Sequence, residues 1–191
     1  MFVFKNKYFF IIESIRDIDL KNIKNSNKFS IIYRSKNIAE NTEKLIKFRK
    51  VCKTKNVDFY VSNNLKLANL LKADGVYISA YNKDLKFAHL KNFNLRIIGS
   101  AHNIKELNIK KLQGCSSIIF SRLFETSYKY KKGFLGVIRF NLLRLSRKEN
   151  LVPLGGIRLS NLNKLNTVKC DSFALSSEMI NKPVVFSSRC F

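Results

Sequence analysis

Short apolar runs alternate with amphipathic segments along this sequence, and that alternation restricts the fold more than any other feature. Eight runs have the length and the continuous apolar character of buried strands. They cover residues 8–13, 29–35, 57–61, 75–79, 95–100, 117–121, 151–157 and 171–176. Most of the segments between them are amphipathic and helical in pattern. Apolar strands separated by such segments predict a parallel sheet covered by helices.

Helix-start signals precede two of the amphipathic segments. Asn37 with Glu40, and Asn103 with Glu106, each show a capping residue followed three positions later by its acid. Further helices are expected over residues 65–72, 84–91, 137–148 and 161–165, and a long polar loop over residues 122–136.

Eight strand–helix units that close on themselves make a compact (β/α)8 TIM barrel, which is an α/β fold. The alternative is an open doubly wound sheet, but no G-x-G-x-x-G sequence follows any of the strands. No linker or shift in composition divides the 191 residues, so one domain over residues 1–191 is expected.

The chain is strongly basic, with 36 Lys and Arg against 13 Asp and Glu and a formal charge of +23. Such an excess raises nucleic acid as a partner. The cations are mostly Lys and are scattered, with no RNP-type motif, zinc-finger spacing or basic helix, so no specific nucleic acid is expected. The positive field should instead help to attract small phosphorylated substrates.

The cysteines are widely separated and form no C-x-x-C pair: Cys52, Cys115, Cys170 and Cys190. Together with the lack of a signal peptide, this spacing predicts reduced thiols and a cytoplasmic protein. The apolar start of the chain is interrupted at residues 5–7 and is too short for a membrane span, so no membrane partner is expected. The oligomeric state is left open.

The seventh strand runs into Gly155 and Gly156, and the eighth ends in Ser176 and Ser177. Two adjacent glycines let backbone N–H groups approach an anion closely. The carboxyl ends of the last two strands of a (β/α)8 barrel commonly form a phosphate site. The pair therefore predicts a phosphate cradle, with a tight turn that binds nothing as the alternative.

Polar residues also follow the other strands, where a barrel keeps its chemistry. The cations and hydroxyls at these ends suit a substrate with two phosphate-type groups. Surface positions for Arg34 and Lys36, and a helix-start role for His102, are the alternatives. The strand-end residues are Tyr33, Arg34, Lys36, Ser62, Asn63, Ser79, Ser100, His102, Thr126, Ser127, Tyr128 and Lys129.

Taken in order, these motifs resemble those of the thiamine-phosphate synthase/TenI family, over about residues 29–180. The family segments Q-L-R-E-K, N-D-r-v-d-L-A and A-D-G-V-H-L-G are similar to IYRSK, SNNLKLA and ADGVYIS here. Its G-x-S-x-H, F-x-T-x-x-K and G-G-I segments are similar to GSAH, FETSYK and GGI. ADGV, T-x-x-K and P-x-G-G-I in this order are the most specific of them.

The resemblance implies a transferase of thiamine biosynthesis that couples hydroxymethylpyrimidine diphosphate to a thiazole phosphate and releases pyrophosphate. It implies that Arg34, Lys36 and Lys129 carry the pyrophosphate, with Lys129 also catalytic. Ser100 and Thr126 would position the two heterocycles. The remaining substrate-binding positions implied are Tyr33, Ser62, Ser127, Tyr128, Gly155, Gly156, Ser176 and Ser177.

The sequence departs from the family at the metal. The synthases hold Mg²⁺ with two aspartates, at positions that here are Asn63 and Asn82, and neutral amides are poor substitutes. Asp84 is close enough in sequence to replace one of them. A TenI-like thiazole tautomerase, with His102 as the acid/base, or a non-catalytic binding relative needs no metal and is the alternative function.

Overall fold

The computed structural model describes residues 7–23, 26–35, 40–93, 95–126 and 133–176. Eight parallel strands form a closed barrel in sequence order, and β8 pairs with β1 to complete it, Tyr8 lying opposite Phe173. The strands are β1 Lys7–Ile12, β2 Phe29–Tyr33, β3 Asp58–Ser62, β4 Gly75–Ile78, β5 Arg96–Ala101, β6 Ser117–Ser121, β7 Asn150–Leu154 and β8 Ser172–Leu175. The predicted (β/α)8 barrel is confirmed.

Four α-helices lie among the described residues: α1 Thr42–Thr54, α2 Leu65–Leu70, α3 Ile104–Leu112 and α4 Gly136–Leu145. The helices expected over residues 84–91 and 161–165 are 3₁₀ helices instead, Leu85–Phe93 and Leu159–Thr167. Within the described part of the chain, no helix has the length and apolar character needed to cross a membrane.

One of the two predicted helix starts is wrong. Helix α1 is capped by Asn41, whose side chain accepts the backbone N–H of Glu43 at 2.8 Å. Glu40 therefore lies outside the helix and accepts the Ser14 hydroxyl at 2.6 Å; Asn37 lies outside the described residues. The second prediction is confirmed, since Asn103 caps α3 by accepting the N–H of Glu106 at 2.9 Å.

Two apolar layers follow from the two-residue period of the strands, which points alternate side chains to opposite faces. The larger layer packs between the barrel wall and the helices. The smaller one fills the barrel with Phe9, Ile11, Ile32, Tyr60, Tyr77, Ile98, Ile119, Val152 and Ala174. The interior is therefore a packed core, and a ligand has access to its ends alone.

A charged cluster lies at the amino-terminal end of the barrel. Asp58 on β3 forms ion pairs with Lys7 on β1 and Arg96 on β5. Burial alone would raise the pKa of Asp58, but hydrogen bonds from Arg96 and Lys7 outweigh that effect and hold the pKa below its ordinary value. The cluster thus connects three strands at the end of the barrel opposite the carboxyl ends of the strands.

Replacing Asp58 with Asn should lower the free energy of unfolding by about 1–2 kcal/mol at neutral pH, because two charge-assisted bonds are weakened. A carboxylate with a lowered pKa stabilises the fold above its unfolded-state pKa of about 4, and this contribution disappears as the pH falls below that value. Urea titrations of wild type and Asp58→Asn should therefore converge in acid. Asp171→Asn, which changes an exposed carboxylate, serves as the control; a constant difference between the curves would contradict the assignment.

Candidate functional site at the barrel mouth

A polar layer lies directly above the apolar interior, at the carboxyl ends of the strands. It consists of the residues that follow an interior residue by two positions in β2 to β6 and in β8. Each of them therefore lies on the same face of its strand as that interior residue. The members are Arg34, Ser62, Ser79, Ser100, Ser121 and Ser176. We call this set the mouth layer; five hydroxyls and one guanidinium belong to it.

Tyr77 connects the barrel interior to the mouth layer. Burial raises the pKa of its hydroxyl, while a hydrogen bond with Ser100 and the charge of Arg34 act in the opposite direction. Arg34 therefore lies close to the strand that carries Tyr77. Its backbone N–H also donates to the carbonyl of Ile12 at 2.8 Å, which extends the pairing of β1 and β2 up to the mouth.

The structure does not bring Tyr33 into the mouth layer, although it was predicted to bind substrate. Tyr33 precedes Arg34 and so faces the other side of β2. Tyr33 is 3% exposed in the outer core, and its ring stacks on that of Phe59 with 6.3 Å between ring centroids. Its aromatic ring therefore packs against the neighbouring strand β3 in the outer apolar layer.

Asn63 and Asn82 hydrogen-bond directly to each other. The side-chain amide of Asn82 donates to Oδ1 of Asn63 at 3.1 Å, and the same oxygen accepts the backbone N–H of Ser79 at 3.0 Å. Nδ2 of Asn63 donates to Oγ of Ser79 at 3.0 Å. We call the Asn63–Asn82 contact the amide bridge; it joins the end of β3 to the loop after β4.

Asp84 does not supply the missing carboxylate. One of its oxygens accepts the backbone N–H of Lys86 at 2.9 Å, and the other pairs with the Lys86 ammonium at 2.7 Å. These contacts with Lys86 lower the pKa of Asp84. Its backbone N–H donates to Oδ1 of Asn82 at 2.9 Å, so that amide oxygen is also occupied.

These residues do not fit Mg²⁺, which prefers anionic oxygen ligands in octahedral geometry. Both amide oxygens are engaged in protein hydrogen bonds, and the Asp84 carboxylate pairs with Lys86. Among the described residues, no group of three His, Cys, Asp or Glu is placed to hold a metal ion. The assignment of Asn63, Asn82 and Asp84 as metal ligands stays a prediction, and the hydrogen bonds of these residues disfavour it.

The loop after β4 is held from behind by two buried polar side chains of α3 and its end. The ammonium of Lys110 donates to the carbonyl of Asn82 at 2.6 Å and to Oε1 of Gln113 at 2.8 Å. Gln113 donates to the carbonyls of Asn82 and Asp84, at 3.0 and 2.9 Å. Both side chains are fully buried. Burial lowers the pKa of Lys110 to about 8, against smaller opposing effects of Cys115 and Glu106.

Replacing Gln113 with Leu should lower the free energy of unfolding by about 2–3 kcal/mol, because it leaves a buried ammonium and the Asp84 carbonyl with fewer partners. Asn108→Leu is the matched control, since Asn108 is an exposed side chain of the same helix. Denaturant titrations measure both changes. Equal stability of Gln113→Leu and wild type would contradict the role of Gln113.

The Gly155-Gly156 turn follows β7 and packs against the chain that follows β6. Both glycines have positive φ, 100° and 67°. A Cβ atom on Gly156 would lie 2.4 Å from the carbonyl oxygen of Glu125. The carbonyl of Gly155 accepts the N–H of Phe124 at 3.0 Å. The glycines are therefore required by backbone packing, in addition to any access they give to an anion.

Gly156→Ala should force the loops after β6 and β7 apart, because the added methyl overlaps backbone atoms and φ is unfavourable for an L side chain. We expect a loss of about 2–4 kcal/mol in the free energy of unfolding. Chemical denaturation tests this, with Gly133→Ala as the control: that glycine also has positive φ, 84°, but a Cβ there would meet no atom within 4 Å. A smaller loss for Gly156→Ala than for Gly133→Ala would refute the packing argument.

The loop after β6 contributes Thr126 and also Arg122, which the sequence patterns missed. Nη1 of Arg122 donates to Oγ1 of Thr126 at 3.0 Å. No motif contained Arg122 or Ser121, and the two-residue period from Ile119 was the signal for Ser121. Five predicted site residues lie outside the described ones: Lys36, Ser127, Tyr128, Lys129 and Ser177.

His102 lies at the start of α3, at the edge of a groove. Its ring Nδ1 is 3.0 Å from Oε2 of Glu106, which also accepts the His102 backbone N–H at 2.7 Å. Burial would raise the pKa of Glu106, but these bonds outweigh it and lower the pKa. The groove has a volume of about 1350 Å³ and runs between α3 and α4; Ser121, Arg122 and Arg139 also line it.

The fold and the site together thus define a class of protein: a (β/α)8 barrel with a polar mouth that carries a cation. A model of the thiamine monophosphate synthase family matches residues 20–179. The chain therefore belongs to the thiamine monophosphate synthase family.

Several curated relatives are named thiamine-phosphate synthase. The protein from Pelagibacter ubique is 30% identical over 170 residues, covering 85% of this chain and 81% of the relative. That from Prochlorococcus marinus subsp. pastoris is 29% identical over 150 residues, covering 78% of this chain. The match spans 43% of that relative and 41% and 34% of two further Prochlorococcus proteins, which are much longer.

A solved structure of thiamine phosphate pyrophosphorylase from Pyrococcus furiosus superposes with a TM-score of 0.74 at 19% identity. The superposition covers 97% of this chain and 92% of that one. At this level of identity the likeness concerns the fold, and it agrees with the closed eight-stranded barrel.

Proposed function

We propose that this chain is a thiamine-phosphate synthase, which joins a hydroxymethylpyrimidine diphosphate to a thiazole phosphate. Membership of the family and the name shared by its relatives support the reaction. The single observation that carries the proposal is the position of Arg34 within a layer of hydroxyls at the mouth. This layer offers charge and hydrogen-bond donors where a diphosphate would depart.

In the reaction, the bond between the pyrimidine methylene carbon and the diphosphate oxygen breaks, and its electron pair leaves with pyrophosphate. The thiazole nitrogen then donates its lone pair to the methylene cation, which forms the C–N bond and leaves a thiazolium. The protein must stabilise the departing negative charge and hold both reactants together.

Arg34 is proposed to bind the pyrophosphate, because a guanidinium donates two parallel hydrogen bonds to phosphate oxygens. Lys36 and Lys129 are proposed for the same anion on the resemblance alone. Ser62, Ser100 and Thr126 would orient the heterocycles, and Ser100 also hydrogen-bonds with Tyr77.

The thiazole phosphate is assigned to the ends of β7 and β8. Among the described groups, none accepts the backbone N–H of Gly156 or Ile157. Backbone N–H groups in a glycine turn that have no acceptor among the described groups favour an anion. Ser176, in the mouth layer on the next strand, would add a hydroxyl donor, with Gly155, Ser127, Tyr128 and Ser177 as further contacts.

A tautomerase with His102 as the acid/base is the less supported alternative. The ring and the backbone N–H of His102 both contact Glu106 at the start of α3, which is the helix-start role already considered for it.

A single barrel domain over residues 1–191 and a cytoplasmic location remain part of the proposal. The buried, free thiol of Cys52 supports that location.

Arg34→Ala should lower kcat/KM for thiamine phosphate formation about 10- to 100-fold, since it removes a charge-assisted contact to the departing anion. The assay mixes the protein with both phosphorylated substrates and measures thiamine phosphate. Arg147→Ala is the control, because Arg147 lies just before β7 at the opposite end of the barrel and contacts Asn108. Absence of product with wild-type protein would refute the synthase, and equal activity of Arg34→Ala would refute the role of Arg34.

A further inference from the structure

The amide bridge occupies the place where the family resemblance implies two metal-binding aspartates. Each amide group has defined partners: Oδ1 of Asn63 accepts from Asn82 and from the Ser79 backbone, and Oδ1 of Asn82 accepts from the Asp84 backbone. The bridge therefore already connects β3 to the loop after β4 without an ion.

Two carboxylates in these positions would behave differently. At the 3.1 Å separation of the bridging atoms, two like charges repel, and a cation or a shared proton is needed to keep them together. An amide has both a donor and an acceptor, so two amides attract each other directly. Asparagine in place of both aspartates thus removes the negative charges that make an ion necessary.

The same loop is also fixed from its other side by a cation of the protein itself. The buried Lys110 ammonium lies 2.6 Å from the Asn82 carbonyl, and Gln113 holds the carbonyls of Asn82 and Asp84. Asn63 is further held by its backbone N–H, which donates to the carbonyl of Tyr77 at 2.9 Å. The loop is thus ordered on both sides by groups of this chain.

We propose that the amide bridge replaces the divalent ion, and that the mouth binds pyrophosphate as the free anion rather than as its magnesium complex. The choice of pyrophosphate as the ligand rests on the proposed function. The replacement of the ion rests on the family resemblance at positions 63 and 82 and on the hydrogen bonds of Asn63, Asn82 and Lys110. The countercharge for the anion then comes from protein cations such as Arg34.

Two measurements on the full chain test this proposal without the coupling reaction. The first is thermal unfolding with Mg²⁺ or with EDTA and no substrate. The melting temperature of wild type should be the same in both, whereas Asn63→Asp/Asn82→Asp should melt lower in EDTA and recover by about 3 °C or more in Mg²⁺. Asn69→Asp/Asn163→Asp, which adds two charges at exposed positions, should show no such recovery.

The second measurement is calorimetric titration with pyrophosphate. Wild type should bind it in EDTA at least as tightly as in Mg²⁺, and the Asn63→Asp/Asn82→Asp variant should bind about tenfold more weakly in EDTA than in Mg²⁺. A magnesium requirement for wild-type binding, a magnesium-dependent melting temperature of wild type, or no wild-type binding in either buffer would overturn the proposal. So would a double variant that folds but ignores magnesium. If the variant does not fold, the wild-type results decide.

These results are separable from the proposed function. Pyrophosphate binding in EDTA by a protein that forms no thiamine phosphate would refute the synthase and leave this inference standing. Thiamine phosphate formation that stops in EDTA, together with weaker pyrophosphate binding, would refute this inference and leave the synthase standing.

Discussion

Closure of the eight-stranded barrel is the constraint on which the rest of the structure depends. Pairing of β8 with β1 leaves no sheet edge and gives every strand one face toward the interior. The same two-residue period that fills the interior with apolar side chains then carries Arg34 and five serines to the mouth. The site is thus a direct continuation of the core, and its members come from strands far apart in sequence.

The polar groups around the mouth are arranged by hydrogen bonds that cross between neighbouring strands. The amide bridge joins β3 to the loop after β4, Lys110 and Gln113 support that loop, and the Gly155-Gly156 turn packs on the chain after β6. The contacts of Lys110 and Gln113 pair backbone carbonyls of Asn82 and Asp84 that would otherwise be unpaired near the site. In our proposal, these protein groups order the loop after β4 in place of a bound ion.

Most of the fold was predictable because strand runs and helix patterns are local signals, and Asn103 with Glu106 is one that the structure confirms. Asn37 with Glu40 shows the same pattern, but the helix start predicted from it is wrong. Asn41 caps the helix instead, and Glu40 accepts a hydrogen bond from Ser14. The roles of Lys110 and Gln113 were not predictable: a Lys and a Gln three residues apart are typical of a solvated helix face. Their partners are carbonyls 28 to 31 residues away. Ser121 was missed because no motif contained it, although its register with Ile119 places it in the mouth layer.

The central claim is that the barrel mouth, and not another surface of this basic protein, is the anion site. A crystal structure with bound pyrophosphate tests it most directly. The account predicts phosphate oxygens within hydrogen-bond distance of the Arg34 guanidinium, above Tyr77 and Ser100. Pyrophosphate bound instead in the groove between α3 and α4, against Arg122 and Arg139 and away from Arg34, would contradict it.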